Sequence, residues 1–285
     1  MIIKNNFDLS LYNSYRLKAK CRTAFFPENE EDALALYSKK REYIVLGGGN
    51  NVIFSKPFYD LDFIIFNGNF NALKINVKAG VIEAEGGATT RQLSKAAQRS
   101  GLSGAEFFYD IPSSIGGAVV MNAGTKEGET KNIVKKVRYL DLKDLKVKET
   151  TCEELGFGYR SSMFQSQKDT VILKVWFQLP QGDPTNIKSI MEASKARRWA
   201  KQPREYPNCG SVYKRPPGRF VGPMLDELGL KGYRIGGAEI SRKHSGFIIN
   251  FDNATGADIL SIIEYTKEKV KKVFGIDLEV EQRII

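Results

Sequence analysis

Residues 43–52 read YIVLGGGNNV and contain the signal that decides the fold. The β-prone run from Tyr43 to Leu46 leads directly into three glycines and two asparagines. Glycine lets backbone N–H groups converge on an anion, and asparagine tolerates the turn conformations that such a loop needs. The pattern fits a loop that cradles a pyrophosphate, and it fits a simple turn between strands equally well. The candidate ligand-binding residues are Gly47, Gly48, Gly49, Asn50, Asn51 and Val52.

A second stretch of small residues reads IPSSIGGAVVMNAG and covers residues 111–124. Two small-residue loops flank a short apolar run, and small side chains allow a backbone to approach a flat ligand closely. The alternative is an irregular connection packed against the core. Two glycine-rich loops together favour a large cofactor over a single phosphate. The candidate contacts are Pro112, Ser113, Ser114, Gly116, Gly117, Asn122, Ala123 and Gly124.

Helix and strand signals alternate along the rest of the chain. Helices are predicted at about 30–40, 90–100, 186–201, 220–228 and 256–274. Strands are predicted at 43–46, 63–66, 171–179 and 277–285. Hairpins are predicted at 73–85 and 134–149, and a long loop is predicted at 102–128. Hairpins beside helices predict an α+β fold. The breaker cluster Gln181-Gly182-Asp183-Pro184 predicts a boundary between domains of residues 1–183 and 184–285.

Composition limits the classes of function that need to be considered. The 285 residues are 42% hydrophobic, enough for two domains, and the net charge is +10. A basic cleft that attracts anionic ligands would explain the charge, but a generally basic, solvated surface is the simpler interpretation because the lysines do not form one stripe. Neither a nucleic-acid-binding module nor a basic track interleaved with aromatic residues is present in the sequence, so we expect no nucleic-acid partner.

Targeting and cysteine patterns predict a cytoplasmic protein. No apolar stretch approaches the roughly 20 residues that span a bilayer, and the N-terminus lacks the apolar core of a signal peptide. We therefore expect no membrane association. The three cysteines, Cys21, Cys152 and Cys209, are widely spaced, so neither a disulfide framework nor a metal site is expected.

Four further polar positions could contribute to chemistry. Arg160, between a glycine turn and two serines, could hold a carboxylate or stabilise negative charge, although a surface arginine is the simpler interpretation. Ser211 follows a glycine outside any GxSxG elbow, and a triad with the single histidine, His244, lacks supporting context. His244 could contact a phosphate or carboxylate, or be structural. Glu279 and Glu281 should share one face of a terminal strand, which is usually solvated.

The order and spacing of these motifs resemble those of the UDP-N-acetylenolpyruvoylglucosamine reductase family over essentially the whole chain. The stretches that carry the resemblance are GGGNN at 47–51, IPSSIGGAVVMNAG at 111–124, YRSS at 159–162, GSVYK at 210–214, LKGYRIGGAEIS at 230–241, KHSGFIIN at 243–250 and LEVE at 278–281. The chain looks like the shorter subclass, which lacks a substrate-covering tyrosine loop.

The resemblance implies a fold and a reaction. The fold would be an FAD-binding (PCMH-type) two-part α/β domain followed by a smaller α+β substrate-binding domain, and we expect the protein to be a monomer. NADPH would reduce FAD, which would then reduce the enolpyruvyl ether of a UDP-sugar during peptidoglycan precursor synthesis. The loops at 47–52 and 112–124 would hold FAD.

The resemblance also implies roles for individual residues. Ser211 would donate a proton, and Arg160 and Glu281 would be the other catalytic residues. Substrate contacts are expected from Tyr159, Tyr213, Lys214 and His244. The sequence departs from the family pattern at Lys18-Ala19, Ser113 and Val280, which affects loop geometry and leaves the three catalytic positions unchanged. Two alternatives remain: an FAD-dependent carbohydrate or alcohol oxidase, and an inactive UDP-sugar-binding protein.

Overall fold

The computed structural model describes residues 1–39, 41–167 and 169–285, which form two compact units. Unit 1 contains Met1–Asn5, Thr23–Gly48 and Leu61–Ala196. Unit 2 contains Asn6–Arg22, Gly49–Asp60 and Arg197–Ile285. Each unit thus combines segments that are distant in the sequence. The division into domains of residues 1–183 and 184–285 stays a prediction.

The helices and strands are numbered in chain order. The helices are α1 (Glu30–Tyr37), α2 (Thr90–Arg99), α3 (Ile115–Val120), α4 (Met163–Ser166), α5 (Pro184–Lys201), α6 (Val221–Glu227) and α7 (Gly256–Phe274). The strands are β1 (Ile2–Asp8), β2 (Lys20–Phe26), β3 (Tyr43–Leu46), β4 (Val52–Ile53), β5 (Phe58–Ile65), β6 (Leu73–Asn76), β7 (Val81–Glu85), β8 (Gly124–Thr125), β9 (Gly128–Glu129), β10 (Val134–Asp141), β11 (Lys146–Thr151), β12 (Thr170–Gln178), β13 (Arg234–Ile235), β14 (Ala238–Ile240), β15 (Ile248–Asn250) and β16 (Arg283–Ile284).

The main sheet of unit 1 is antiparallel and has the order β11–β10–β12–β7–β6. Residues of β12 enter two different hydrophobic clusters, since strand side chains point to opposite faces, and a register shift against β10 between Arg138 and Tyr139 interrupts the strict alternation. Ile172 and Val175 pack with α2 and α3, whereas Val171 and Leu173 pack with residues of α1. The sheet is therefore buried on both faces, which explains why β12 is almost continuously apolar.

A second sheet has the order β1–β2–β5–β3, and its strands β3 and β5 are parallel. Tyr43 lies opposite Asp62, and Leu46 lies opposite Ile65. This pairing fixes the end of β3, from which the glycine triplet begins.

Unit 2 contains the antiparallel sheet β13–β14–β15, against which α7 packs. The isoleucines Ile259, Ile262 and Ile263 of α7 are fully buried. A capping box at Thr255 begins this helix, and Gly275, with φ of 70°, ends it. Strands β4 and β16 are parallel, with Val52 opposite Arg283. This pairing brings the residues after the glycine triplet beside the end of the chain.

Most predicted elements are confirmed, and two predictions are wrong. The observed β3 and α7 have the predicted bounds, and α1 follows its predicted start at Glu30 but ends at Tyr37; Lys40 lies outside the described residues. The predicted loop at 102–128 contains α3, and only Arg283–Ile284 of the predicted strand at 277–285 is a strand.

The helices and antiparallel hairpins confirm the α+β class. Among the described residues, no helix has both the length and the apolar character that crossing a bilayer requires.

Candidate active site

The two glycine-rich loops meet within unit 1. A Cβ added to Gly47 would lie 2.3 Å from Ser114 Oγ, closer than real Cβ contacts. A Cβ at Gly117 would lie 3.1 Å from the same oxygen and 3.3 Å from Ser113 Oγ. Glycine is therefore needed at position 47 for the two loops to approach each other. Gly47 and Gly48 belong to this unit, whereas Gly49 to Val52 belong to unit 2.

Backbone hydrogen bonds place the second loop beside the start of α2. Thr90 N donates to Ser113 O at 3.0 Å, and Thr89 forms an antiparallel bridge with Ser114. The Ser114 side chain then caps α3 by accepting a hydrogen bond from Gly117 N at 3.2 Å. Gly116 N donates to Gly86 O at 2.9 Å, so this amide is already engaged by the protein. Pro112 lies in a segment without regular secondary structure, next to Ser113.

Asn122 is fully buried and links this loop to the turn that carries Arg160. Its Nδ2 donates to Gly158 O at 2.9 Å and to Glu129 Oε2 at 3.1 Å, and its Oδ1 accepts from Lys131 N at 3.0 Å. These contacts use the polar atoms of its side chain within the protein. The side chain thus braces the loop from within, and the contribution of Asn122 to cofactor binding stays a prediction.

Arg160 occupies a left-handed backbone conformation, with φ of 51°, which is uncommon outside glycine. Its Nη2 donates to Gly124 O at 2.9 Å, and its Nη1 donates to Asn122 O at 3.4 Å. The hairpin of β8 and β9 holds Ala123 and Gly124 close to this guanidinium, because Gly124 pairs with Glu129. Tyr159 is 51% exposed, and the Arg160 guanidinium carbon lies 5.3 Å from its ring centroid.

Ser211 and Glu281 lie on neighbouring backbone segments of unit 2. Glu281 N donates to Val212 O at 2.8 Å, and Tyr213 forms a bridge with Val280. On the other side, Val212 N donates to Gly246 O at 3.0 Å, and Ser211 bridges Phe247. Ser211 is exposed, whereas Glu281 is partly buried. The fold thus brings together two residues that the sequence separates widely.

Gln282 holds the segment that precedes Ser211. Its side chain is 4% exposed, and its Nε2 lies within hydrogen-bonding distance of three successive carbonyl oxygens. The distances are 3.2 Å to Cys209, 3.3 Å to Gly210 and 3.4 Å to Ser211. Gln282 Oε1 accepts a hydrogen bond from the Tyr15 hydroxyl at 3.0 Å. The sequence predicted no role for Gln282 or Tyr15, because their contact joins segments that are far apart along the chain.

The first glycine-rich loop continues into unit 2, where its residues contact Tyr12, Ser14 and Glu281. Gly49 has φ of 65°, and a Cβ there would lie 1.9 Å from Tyr12 O. Asn50 Oδ1 accepts a hydrogen bond from Ser14 Oγ at 2.5 Å. Asn51 Nδ2 donates to Glu281 O at 3.1 Å. These two asparagine side chains therefore contact protein groups in addition to any ligand.

Of the residues expected to contact substrate in unit 2, Lys214 has the most suitable side chain. It is partly exposed, and its Nζ lies 2.6 Å from Glu279 Oε1, so an anionic ligand would compete with this carboxylate. The Tyr213 side chain is 4% exposed, and its hydroxyl donates to Ile263 O at 3.3 Å. The expectation that Tyr213 contacts substrate is therefore not supported, because its phenol lies in the core.

His244 is half-buried on the turn next to Phe247. Its Nδ1 accepts a hydrogen bond from Gly246 N at 3.1 Å, so the neutral ring carries its proton on Nε2. Burial lowers the pKa of His244 below its usual range, which favours the neutral ring at neutral pH. His244 is thus suited to donate a hydrogen bond to a ligand oxygen rather than to supply positive charge.

Cys209 does not have the properties of a nucleophile. It is buried, and its Sγ lies 3.4 Å from Val52 O. Burial raises the pKa of the Cys209 thiol to about 12, so the thiolate that a nucleophile requires is scarcely populated.

Two family models match the chain. The FAD binding domain model matches residues 23–151, and the model described as UDP-N-acetylenolpyruvoylglucosamine reductase, C-terminal domain, matches residues 202–285. The two matches follow each other along the chain and include most of the site residues described above.

Curated relatives and a solved structure match nearly the whole chain. A UDP-N-acetylenolpyruvoylglucosamine reductase from Francisella tularensis is 39% identical over 97% of this chain and 98% of its own length. The enzyme of that name from Limosilactobacillus reuteri is 43% identical over 91% of this chain and 87% of its own. The crystal structure of UDP-N-acetylenolpyruvylglucosamine reductase from Thermus caldophilus has a TM-score of 0.85 and 29% identity, covering 100% of this chain and 99% of that one.

Proposed function

The chain belongs to the UDP-N-acetylenolpyruvoylglucosamine reductase family, and from that premise we propose that it reduces UDP-N-acetylglucosamine enolpyruvate to UDP-N-acetylmuramate. FAD is the cofactor, NADPH is the reductant, and the reaction belongs to peptidoglycan precursor synthesis. The structural observation that carries the proposal is the backbone hydrogen bond from Glu281 N to Val212 O, which places Ser211 and Glu281 on adjacent segments of unit 2. We further propose that the enzyme is a cytoplasmic monomer.

The residues of unit 1 fit an FAD molecule held largely by backbone and hydroxyl groups. The 2.3 Å separation between a Cβ at Gly47 and Ser114 Oγ shows that no side chain can stand between the two loops there. Such a side-chain-poor surface permits close approach of a flat, pyrophosphate-containing cofactor. Gly47, Gly48, Ser113 and Gly117 are the proposed contacts, and Ser114 and Asn122 shape the loops around them.

FAD, held by the two glycine-rich loops, would supply hydride transfer from NADPH to the methylene carbon of the enolpyruvyl group. The carbon beside the substrate carboxylate must then gain a proton. We assign this donation to Ser211, whose exposed side chain can reach a ligand. The serine must regain a proton after donating one, and we assign the sharing of that proton to Glu281, whose backbone is fixed beside Val212.

Arg160 is assigned to the negative charge that develops beside the substrate carboxylate. Its guanidinium is permanently cationic and planar, and hydrogen bonds to Gly124 O and Asn122 O fix its orientation. A cation fixed before the reaction stabilises developing charge without reorganising during the step. We propose that Lys214 and His244 contact other anionic or polar groups of the substrate, and that Tyr159 contributes its exposed ring.

An anaerobic assay tests the proposal. The purified protein should consume NADPH only when the enolpyruvyl UDP-sugar is present, and mass spectrometry should find a product that has gained two hydrogens. An oxidase would instead require oxygen as its electron acceptor, and an inactive UDP-sugar-binding protein would bind the substrate unchanged. Unchanged substrate in the presence of FAD and NADPH would contradict the proposed function.

A further inference from the structure

Gln282 differs from its neighbour Glu281 in the direction that its side chain takes. Successive side chains of an extended segment point to opposite sides, and here Glu281 is partly exposed whereas Gln282 is buried. The Gln282 amide reaches the carbonyl oxygens of Cys209, Gly210 and Ser211 at 3.2–3.4 Å. The residue next to one proposed catalytic group thus holds the backbone of another.

Chemistry fixes the orientation of this amide. Carbonyl oxygens only accept hydrogen bonds, so the NH₂ group of Gln282 must face the three carbonyls. Its oxygen then accepts from Tyr15, whose hydroxyl lies 3.0 Å away. Burial raises the pKa of Tyr15 well above its usual value, so this phenol stays protonated and remains a donor.

From this arrangement we infer that Gln282, oriented by Tyr15, is a positioning residue that sets the direction in which Ser211 presents its hydroxyl. The inference rests on the proposed function, in which Ser211 donates a proton. Gly210, with φ of 80°, gives the backbone before Ser211 a conformation that the amide contacts hold in place. Misplacing a reacting group by about 1 Å can slow a reaction roughly 100-fold.

A Gln282→Glu variant provides a readout that a purely structural role would not change. The carboxyl group has nearly the same shape, but when ionised it cannot donate to the three carbonyls. Flavin reoxidation by substrate should slow roughly 10- to 100-fold at alkaline pH. Burial beside three carbonyl oxygens should raise the pKa of the new carboxyl, so falling pH should protonate it, restore a donor and bring the rate back toward wild type.

Other titratable groups around position 282 do not explain such a pH dependence. Tyr15 and Tyr213 have pKa values raised by burial, and Cys209 has a pKa of about 12 for the same reason. None of these three groups changes charge near neutral pH. Glu281 is present in both proteins, so the ratio of the variant rate to the wild-type rate at each pH separates its contribution.

Gln178→Glu is the matched control. Gln178 Nε2 also donates to carbonyl oxygens of a turn, at 2.8 Å to Ala79 and 3.2 Å to Gly80, but it lies in unit 1 at the hairpin of β6 and β7. This variant should show wild-type rates for flavin reduction by NADPH and for reoxidation by substrate, at every pH.

Stopped-flow measurement of flavin reoxidation between about pH 6 and about pH 9 decides the inference. A Gln282→Glu to wild-type ratio that stays near one at all pH values would overturn it. If Gln282→Glu does not fold, Gln282→Met should fold and reoxidise slowly without pH recovery; wild-type reoxidation in Gln282→Met, or unfolding of both variants, would also overturn it. Absence of reoxidation in the wild-type protein would instead contradict the proposed function.

Discussion

Ser211 is the residue on which the proposed chemistry depends most. Replacing it with alanine removes the hydroxyl but leaves the backbone bridge to Phe247 and the carbonyl contacts of Gln282. Ser211→Ala should therefore keep flavin reduction by NADPH while slowing flavin reoxidation by substrate about 10²- to 10⁴-fold, the usual value of general acid catalysis. Stopped-flow absorbance measures both half-reactions separately.

Ser166→Ala is a suitable control for that substitution. Ser166 is an exposed serine at the end of α4, where its hydroxyl donates to Met163 O at 2.9 Å. Its loss should leave both half-reactions at their wild-type rates. Equal reoxidation rates in Ser211→Ala and the wild-type protein would remove Ser211 from its proposed role.

His244 should make the protein less stable under mildly acidic conditions. Because burial lowers its pKa in the folded state, the unfolded chain binds a proton more readily as pH falls through its ordinary range near 6.5. The free energy of unfolding should therefore decrease as pH falls through that range. His244→Asn, which can still accept a hydrogen bond from Gly246 N, should show a weaker decrease in denaturant unfolding. An unchanged pH dependence in the variant would contradict this assignment.

The sequence identified the residues with distinctive chemistry but not those that orient them. Arg160, Ser211 and Glu281 lie in recognisable stretches, whereas Gln282 and Tyr15 act through a buried amide and phenol. Three carbonyls converge on Gln282 only after the chain folds, so no local pattern could predict the contact. Likewise, the sequence could not show that the Tyr213 phenol lies in the core.

At the scale of elements, strong hydrophobic periodicity predicted a long helix correctly. A short helix that contains glycines was not predicted. Helix α7 has an apolar face, a capping box and a terminal glycine, and its observed bounds match the prediction. Helix α3 contains Gly116 and Gly117, and each glycine costs about 1 kcal/mol of helix propensity relative to alanine. Burial of its residues Ile115, Ala118 and Val119 stabilises this helix, so tertiary packing overrides local preference.

The meeting of the two glycine-rich loops gives a prediction at the same scale. A Gly47→Ala side chain would collide with Ser114 Oγ, so the loops should separate and the purified protein should retain less FAD. Combining Gly47→Ala with Ser114→Ala removes that oxygen and leaves Ser114 Cβ at 3.4 Å, which should restore part of the FAD content. The ratio of flavin absorbance to protein absorbance measures this effect.

Gly222→Ala serves as the control for the glycine substitution. It lies in α6, where an added Cβ would be 3.6 Å from the His244 ring, an ordinary van der Waals distance. Its FAD content should match that of the wild-type protein. Full FAD retention in Gly47→Ala would show that the approach of the two loops is not needed for cofactor binding.

At the scale of the whole molecule, residues that contact each other come from segments that are far apart in the sequence. Unit 2 combines Arg197–Ile285 with Asn6–Arg22 and Gly49–Asp60, and these two short segments supply Tyr15 and Asn51. A fragment of residues 184–285 would lack the partners of Gln282 and of the Glu281 carbonyl. Functional tests therefore require the full chain.

The basic composition agrees with the proposed ligands without identifying their binding residues. NADPH and the UDP-sugar are polyanions, and a net charge of +10 should favour their approach at low ionic strength. Several lysines are nevertheless paired with carboxylates, as Lys214 is with Glu279 and Lys148 is with Asp141. Net charge alone therefore assigns no lysine to a phosphate.

The visible spectrum of the purified protein tests the central claim most directly. Under anaerobic conditions, NADPH should bleach the flavin absorbance, and the enolpyruvyl UDP-sugar added next should restore it. Recovery on addition of that substrate would identify the chain as a flavin-dependent reductase of the enolpyruvyl ether. A protein that binds no flavin, or a reduced flavin that stays bleached with the substrate and recovers only with oxygen, would contradict the account.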